Sequence, residues 1–276
     1  MKRIVTIQDF SCVGRCSLTV ALPIISAAGI EACGIPTAVL SNHTGFDSYH
    51  SHDLTEQLKP VSEGLKRENI TFDAIYTGYI ASAEQMGLIS TFIDEFMEKD
   101  TKVFVDPVMG DNGRMYSGLS ADYPRLMLEL CKKADVIMPN ITEACMMTGR
   151  EYRHDMPMED IEAMLRELYD ICNVEYALIT GVRSGDRTGA AGWEGKTLHS
   201  SLLPHIELVC MGTGDIFASV LVAAVMRGVG YRAALDLAVR FTQRCVSVTA
   251  ADEERRFYGV NFEQVLPLLI NELSAV

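Results

Sequence analysis

Short apolar runs alternating with stretches of helical periodicity constrain this chain more than any other feature. Ile4 to Ile7, Ala32 to Leu40, Ala74 to Thr77, Lys102 to Val105, Val136 to Met138 and Tyr176 to Thr180 read as buried strands. Between them lie segments such as Ser17 to Ala28, an apolar helix that tolerates Pro23 and stops at Gly29, and Gln85 to Glu98. Parallel strands need long crossovers and helices supply them, so the rhythm predicts βαβ units and a mostly parallel sheet. Trp193 to Thr197 reads as a late hairpin turn. With no repeat, low-complexity tract or Pro/Gly/Ser linker, residues 1–276 are expected to form a single domain. Two loops rich in Gly, Asn, Asp and Ser, Ser41 to Ser51 and Gly110 to Gly118, are candidate covers over a site or solvated connections.

Polar residues stand where these strands end: Gln8-Asp9, Asp106-Pro107, Pro139-Asn140 and Thr180-Gly181. Ligands of open α/β sheets bind outside the carboxyl ends of the strands, so these termini predict one crevice. Gly212-Thr213-Gly214-Asp215, followed by the uncharged run Ile216 to Met226, joins an anion-binding turn to a carboxylate at a helix start. The glycines permit a tight turn, and the first helical N–H groups are free donors at a positive dipole end. An aspartate there either accepts a proton from an attacking hydroxyl, as in a kinase, or merely caps the helix.

The chain, 48% hydrophobic over 276 residues, can bury the core of one α/β domain. Its net charge of -13 argues against a nucleic-acid surface, yet a mononucleotide can be held by Mg²⁺, backbone amides and a helix dipole. The apolar stretch after Met1-Lys2-Arg3 ends at Gln8-Asp9, too short for a secretory core, and no segment approaches the ~20 apolar residues of a membrane span. Eight scattered cysteines fit reduced thiols in a cytoplasm. Cys12 and Cys16 have no second pair and make no zinc site.

Several motifs fail. Gly195-Lys196-Thr197 is similar to the end of a P-loop, but Ala190 stands where its first glycine belongs and a hairpin is expected there. Gly212-Thr213-Gly214 lacks the third glycine of a dinucleotide fingerprint, since Phe217 occupies that position. His50 and His52 have no partners in register for a metal. No Gly-x-Ser-x-Gly elbow is present.

Taken in order, Asp106-Pro107-Val108-Met109-Gly110-Asp111, Pro139-Asn140-Ile141-Thr142-Glu143-Ala144 and Gly212-Thr213-Gly214-Asp215 resemble the signatures of the ribokinase-like superfamily of small-molecule kinases. Ser41-Asn42-His43-Thr44-Gly45-Phe46 and Tyr76-Thr77-Gly78-Tyr79 resemble the pyridoxal kinases within it. The resemblance runs from the first strand to the helix after Asp215.

It implies a three-layer α/β domain with a largely parallel central sheet and helices on both faces. The implied activity is ATP-dependent phosphorylation of the 5′-hydroxymethyl group of a B6 vitamer: pyridoxal, pyridoxine or pyridoxamine. Asp215 would take the hydroxyl proton while the N–H groups of Gly212, Thr213, Gly214 and Asp215 stabilise the transferring phosphoryl. Asp106 and Glu143 would organise Mg²⁺, partly through water, with Asn140 holding that network and the phosphates. Thr180 and Thr213 would contact ATP, which the loop carrying Asp111 and Tyr116 covers. Thr44 and Tyr79 would bind the ring, and His43 would support their loop or touch the ligand itself. The resemblance further implies a monovalent cation such as K⁺, a cytoplasmic homodimer, and small-molecule substrates rather than a nucleic acid or membrane.

Departures bear on specificity. Pyridoxal kinases commonly carry Ser-His after the first-strand glutamine and a longer turn; here Asp9-Phe10 and Val13-Gly14-Arg15 stand instead, and Met138 replaces the threonine usual before Pro-Asn. Asp9 falls where the family places a ring-contacting residue, and a carboxylate pairs with a cationic amine, so a pyridoxamine preference is expected. Asp9 is also similar to the first-strand end of hydroxymethylpyrimidine kinases of thiamine synthesis. Those enzymes, and a non-catalytic protein that binds pyridoxal phosphate, are the alternatives.

Overall fold

The computed structural model describes residues 1–274. The chain divides into two compact units, one built from residues 1–76 with 206 onward, the other from residues 77–205.

The first unit opens with β1 (Arg3–Ser11), α1 (Leu18–Ala27), β2 (Glu31–Leu40), β3 (Ser51–Asp53), α2 (Thr55–Arg67) and β4 (Ala74–Thr77), at whose end the chain leaves it. β1 lies between β4 and β2. It pairs with β2 in parallel, from Arg3↔Glu31 to Ser11↔Leu40, and β3 runs antiparallel along the end of β2. Ile4 through Gln8 are fully buried, which explains the unbroken apolar run. Contrary to the sequence reading, Gln8-Asp9 does not follow the first strand; β1 continues to Ser11. Pro36 stands opposite Gln8 and has no N–H for the ladder, and the register shifts between Gln8 and Phe10, at Asp9.

In the second unit come α3 (Ala83–Phe96), β5 (Lys102–Val105), β6 (Gly110–Asp111), β7 (Arg114–Met115), α4 (Tyr123–Cys131), β8 (Val136–Ile137), α5 (Ile141–Thr148), α6 (Met158–Cys172), β9 (Tyr176–Ser184), β10 (Arg187–Glu194) and β11 (Thr197–Pro204). β5, β8 and β9 are parallel, as the crossover helices require, while β10 and β11 extend the edge antiparallel. The strand expected to stop at Thr180 runs on to Ser184. Ala190 pairs with Thr180 and Gly189 with Val182, leaving Gly181 (φ 76°) bulged out of the ladder. The late hairpin is as expected, with Glu194 opposite Thr197 and left-handed Gly195 in the turn.

The chain then returns to the first unit with α7 (Thr213–Met226), α8 (Tyr231–Ala251) and α9 (Leu266–Ser274). α7 packs against α1 and α8, and every residue from Ile216 to Ala224 is buried. A helix apolar all round has no face for solvent, so the missing charge after Asp215 is a packing requirement.

Candidate active site

In the first unit, α7 begins at Gly212, whose φ of 78° is left-handed. A Cβ there would overlap the carbonyl oxygen of Arg15, so only glycine allows this close approach. Asp215 is the third residue of α7 and not its N-cap, which removes the capping alternative. The Ile216 N–H is the first to bond back, to the Gly212 oxygen at 3.1 Å. The N–H groups of Thr213, Gly214 and Asp215 precede that ladder and make a donor set for an anion. Burial, with the nearby charge of Asp9, pushes the Asp215 carboxyl up to about 7, against the opposing dipole of the nearby Ser17 N–H. Such a carboxylate can exchange a proton at neutral pH.

Residues 12–16 form the turn against Gly212. Arg15 anchors it by donating to Glu263 (2.8 Å) and Asn261 (2.7 Å), and its own N–H donates to the Tyr258 carbonyl (3.3 Å). Burial first, then the charges of Asp215 and Asp9, push the Cys16 thiol up to about 12, so it stays protonated. His43 is buried with both ring nitrogens engaged by backbone. Nδ1 accepts from the Gly45 N–H (3.0 Å), which leaves Nε2–H to donate to the Tyr258 carbonyl (3.0 Å). His43 therefore supports its loop. Thr44 beside it is exposed, and Phe46 packs on Phe257 and Tyr258 with centroids 4.7 and 5.5 Å away. Gly45 lies so close to Met211 that a Cβ would overlap its sulfur, which ties this loop to the residue before the anion turn.

Within the second unit, Asn140 and Glu143 form a capping box on α5: Asn140 Oδ1 accepts from the Glu143 N–H (3.0 Å), and Glu143 Oε2 from the Asn140 N–H (2.8 Å). Glu143 Oε1 accepts from the Met109 N–H (3.1 Å), and the Gly110 N–H lies near enough to favour its charged form. Burial raises its pKa to about 8 in spite of these donors. Asn140 Nδ2 donates to the Gly110 carbonyl (2.8 Å), so this pair fastens the Asp106–Gly110 segment to α5. Thr180 forms a parallel bridge with Asn140, and its N–H donates to the Pro139 carbonyl (2.9 Å). The Asn140 and Thr180 termini thus meet, with the Asp106 segment bound to Asn140 and Glu143.

Part of the expected 110–118 loop is the hairpin β6–β7, turned by Asn112 (φ 51°) and Gly113 (φ 74°). The Gly113 N–H donates to Thr142 Oγ1 (2.9 Å), docking the hairpin on α5, while the Asp111 carboxylate accepts from Asn112 (2.8 and 2.9 Å). Tyr116 is exposed, and Tyr79 is half-buried before Ile80, whose carbonyl accepts from the Tyr123 hydroxyl (2.6 Å).

Among the described residues no three Asp, Glu, His or Cys side chains gather as a metal set. Buried Asp106 and Glu143 fit an ion that keeps most of its own water and takes few protein carboxylates, as Mg²⁺ does, because the bonds on Glu143 leave little room for direct coordination. Sequence reasoning missed Arg15 and Ser17. Arg15 finds its partners at the far end of the chain, and nothing in Ser17's neighbours announces its left-handed φ of 47°.

The sequence signature of the phosphomethylpyrimidine kinase family covers residues 22–259. The pyridoxal kinase of Ovis aries is 26% identical over 238 residues, 80% of this chain and 76% of that protein. A Bacteroides thetaiotaomicron protein provisionally assigned as a phosphomethylpyrimidine kinase, solved with pyridoxal, is 36% identical and superposes with a TM-score of 0.92 over 97% of this chain and 95% of its own. Lactobacillus plantarum pyridoxal kinase is 28% identical with a TM-score of 0.92, over 100% and 99% of the two chains. The fold is therefore the ribokinase-like α/β fold, and the chain belongs to the phosphomethylpyrimidine kinase family, with pyridoxal kinases among its relatives.

Proposed function

We infer that this protein is a pyridoxal kinase, transferring the γ-phosphoryl group of ATP to the 5′-hydroxymethyl group of a B6 vitamer. The observation that carries the reading is Asp215, set in the first turn of α7 beside uncommitted N–H groups and poised near neutral pH. The relative solved with pyridoxal supports the substrate class. Asp215 takes the proton of the attacking hydroxyl, and the N–H groups of Gly212 to Asp215 stabilise charge on the phosphoryl in transit. Bound Mg²⁺ supplies charge neutralisation on the phosphates. Asp106 orients that ion's water shell, and Glu143 with Asn140 holds the Asp106–Gly110 segment in place. Thr180, Thr213, Asp111 and Tyr116 contact ATP; Thr44 and Tyr79 contact the ring, with His43 holding the loop that carries Thr44. We propose that the chain works as one kinase domain, as a homodimer with a monovalent cation such as K⁺, in the cytoplasm. No described helix is long and apolar enough to cross a membrane.

A coupled ADP-release assay with pyridoxal, pyridoxine, pyridoxamine and hydroxymethylpyrimidine tests this reading. Turnover is expected with the B6 vitamers. Turnover of the pyrimidine alone makes the protein a hydroxymethylpyrimidine kinase, and binding without ADP release makes it a non-catalytic pyridoxal phosphate protein.

Glu143→Gln and Asp106→Asn are each expected to raise the Mg²⁺ concentration for half-maximal rate, by about tenfold. Glu143→Gln acts by loosening Met109 and Asn140. Magnesium titrations of the two variants that overlay the wild type would place the ion elsewhere.

A further inference from the structure

Among the described residues four arginines are half-buried: Arg3, Arg15, Arg150 and Arg183. The first three each pair with a glutamate, namely Glu31, Glu263 and Glu167. Arg183 makes neither an ion pair nor a hydrogen bond among the described residues, in a chain whose net charge of -13 offers carboxylates freely. Taking a guanidinium partly out of water without a partner costs free energy, so its placement needs another cause.

The backbone aims this side chain. Ala190 and Thr188 stand two apart on β10 and share a face, and they pair with Thr180 and Arg183 of β9. Thr180 and Arg183 therefore share a face as well. Strict alternation would separate them, and the bulged Gly181 supplies the extra residue that brings them together. The opposite face belongs to α6: Trp193, 4.6 Å from the Arg166 guanidinium of that helix, stands on the same face of β10 as Gly189, the partner of fully buried Val182. Two ladder steps, roughly 7 Å, separate Thr180 from Arg183, a span that the long arginine stem can bridge. Arg183, Ser184 and Gly185 also line a cavity of about 350 Å³ at the carboxyl end of β9, walled on its other side by residues 155–158. Tyr152, in the chain leading to that wall, packs so closely on Gly113 that a Cβ there would overlap its ring, which ties this segment to the hairpin β6–β7.

We propose that Arg183 is a further nucleotide-binding residue, its guanidinium taking the phosphates that stay on the nucleotide when the γ-phosphoryl leaves. This rests on the kinase reading, in which Thr180 contacts ATP from the same face. None of the side chains given to the nucleotide there, Asp111, Tyr116, Asn140, Thr180 and Thr213, is cationic, so Arg183 supplies the one protein charge that matches a phosphate. A guanidinium gives parallel donors to phosphate oxygens, and the ligand provides the anion that Arg183 lacks.

ADP carries the phosphates in question without the γ group, so the test is calorimetric titration with ADP, Mg²⁺ present, of wild type, Arg183→Met and Arg187→Ala. Methionine keeps an apolar stem and removes the donors, and since no bond of the fold is lost the Tm is expected to match the wild type. The Kd for ADP is expected to rise about 10–100-fold in Arg183→Met. Exposed Arg187 belongs to the same hairpin but lies on the face of α6, so Arg187→Ala removes an equal charge and is expected to change the Kd by no more than about twofold. An ADP affinity unmoved in Arg183→Met, or weakened as much in Arg187→Ala, overturns the proposal. The kinase reading fails separately: a wild type that binds ADP but turns over no vitamer removes that reading while the difference between the variants still shows the contact. A wild type that binds no ADP overturns both. Where turnover is present, the KM for ATP is expected to rise in Arg183→Met with kcat nearly unchanged.

Discussion

Asp215→Asn is expected to lower kcat by ~10²–10⁴-fold with vitamer binding nearly unchanged, because it deletes a proton acceptor used in the transition state and little ground-state contact. The same substitution should stabilise the fold. Asp215 has its ordinary value of 3.8 when unfolded and about 7 when folded, so the folded state favours the protonated form. Wild-type stability is therefore lost as pH rises across that window, whereas asparagine does not titrate. The Tm of Asp215→Asn should match the wild type near pH 4 and exceed it at pH 8, while wild-type kcat/KM falls as pH drops below about 7. Turnover within a few-fold of wild type would remove Asp215 from the role of base; equal melting at pH 8 would remove the strain attributed to its charge.

Gly212→Ala is the second large effect. An alanine would have to hold a left-handed φ of 78° and push aside the Arg15 carbonyl, which belongs to backbone and cannot rotate away. A loss of roughly 2–3 kcal/mol is expected, with kcat reduced by at least ~10²-fold as the donor groups are displaced. Gly214 supplies the control, since it has no positive φ and a Cβ there meets nothing within 4 Å. Gly214→Ala should melt close to the wild type. If the two variants melt together, the left-handed entry to α7 does not constrain this site.

What could be read in advance followed local chemistry. Ile4 to Ile7, Lys102 to Val105 and the 193–197 turn betrayed themselves by apolar continuity or by a glycine at the bend, and Gly212 to Asp215 by an anion-binding turn entering a chargeless helix. Strand ends were misjudged where a partner decides them. β9 passes Thr180 because β10 keeps pairing beyond the bulged Gly181, and β1 passes Asp9 because β2 shifts register at Pro36. Asp111-Asn112-Gly113 held the composition of a tight hairpin but lay inside a stretch polar enough to pass for plain loop. Glu143 as a backbone clamp was half legible, since Asn140 three residues earlier is the first half of a capping box. The bond from the Ser17 hydroxyl to Asp9 was not, because it joins a turn to a strand through one strained serine.

The discontinuous first unit also sets an order of assembly during translation. Residues 77–205 form a compact unit from one uninterrupted stretch, so its whole pattern of contacts is available once that stretch has left the ribosome. β1 and α1 emerge before any of it, yet α1 lacks α7 until residues beyond 205 follow. The Arg15 turn must wait for Gly212 across that interval, a closure of high sequence separation and therefore a slow one. A nascent chain stalled after residue 205 contains every side chain expected to organise the metal and none of the anion turn, so the capacity for phosphoryl transfer arrives only after residue 215 has been added.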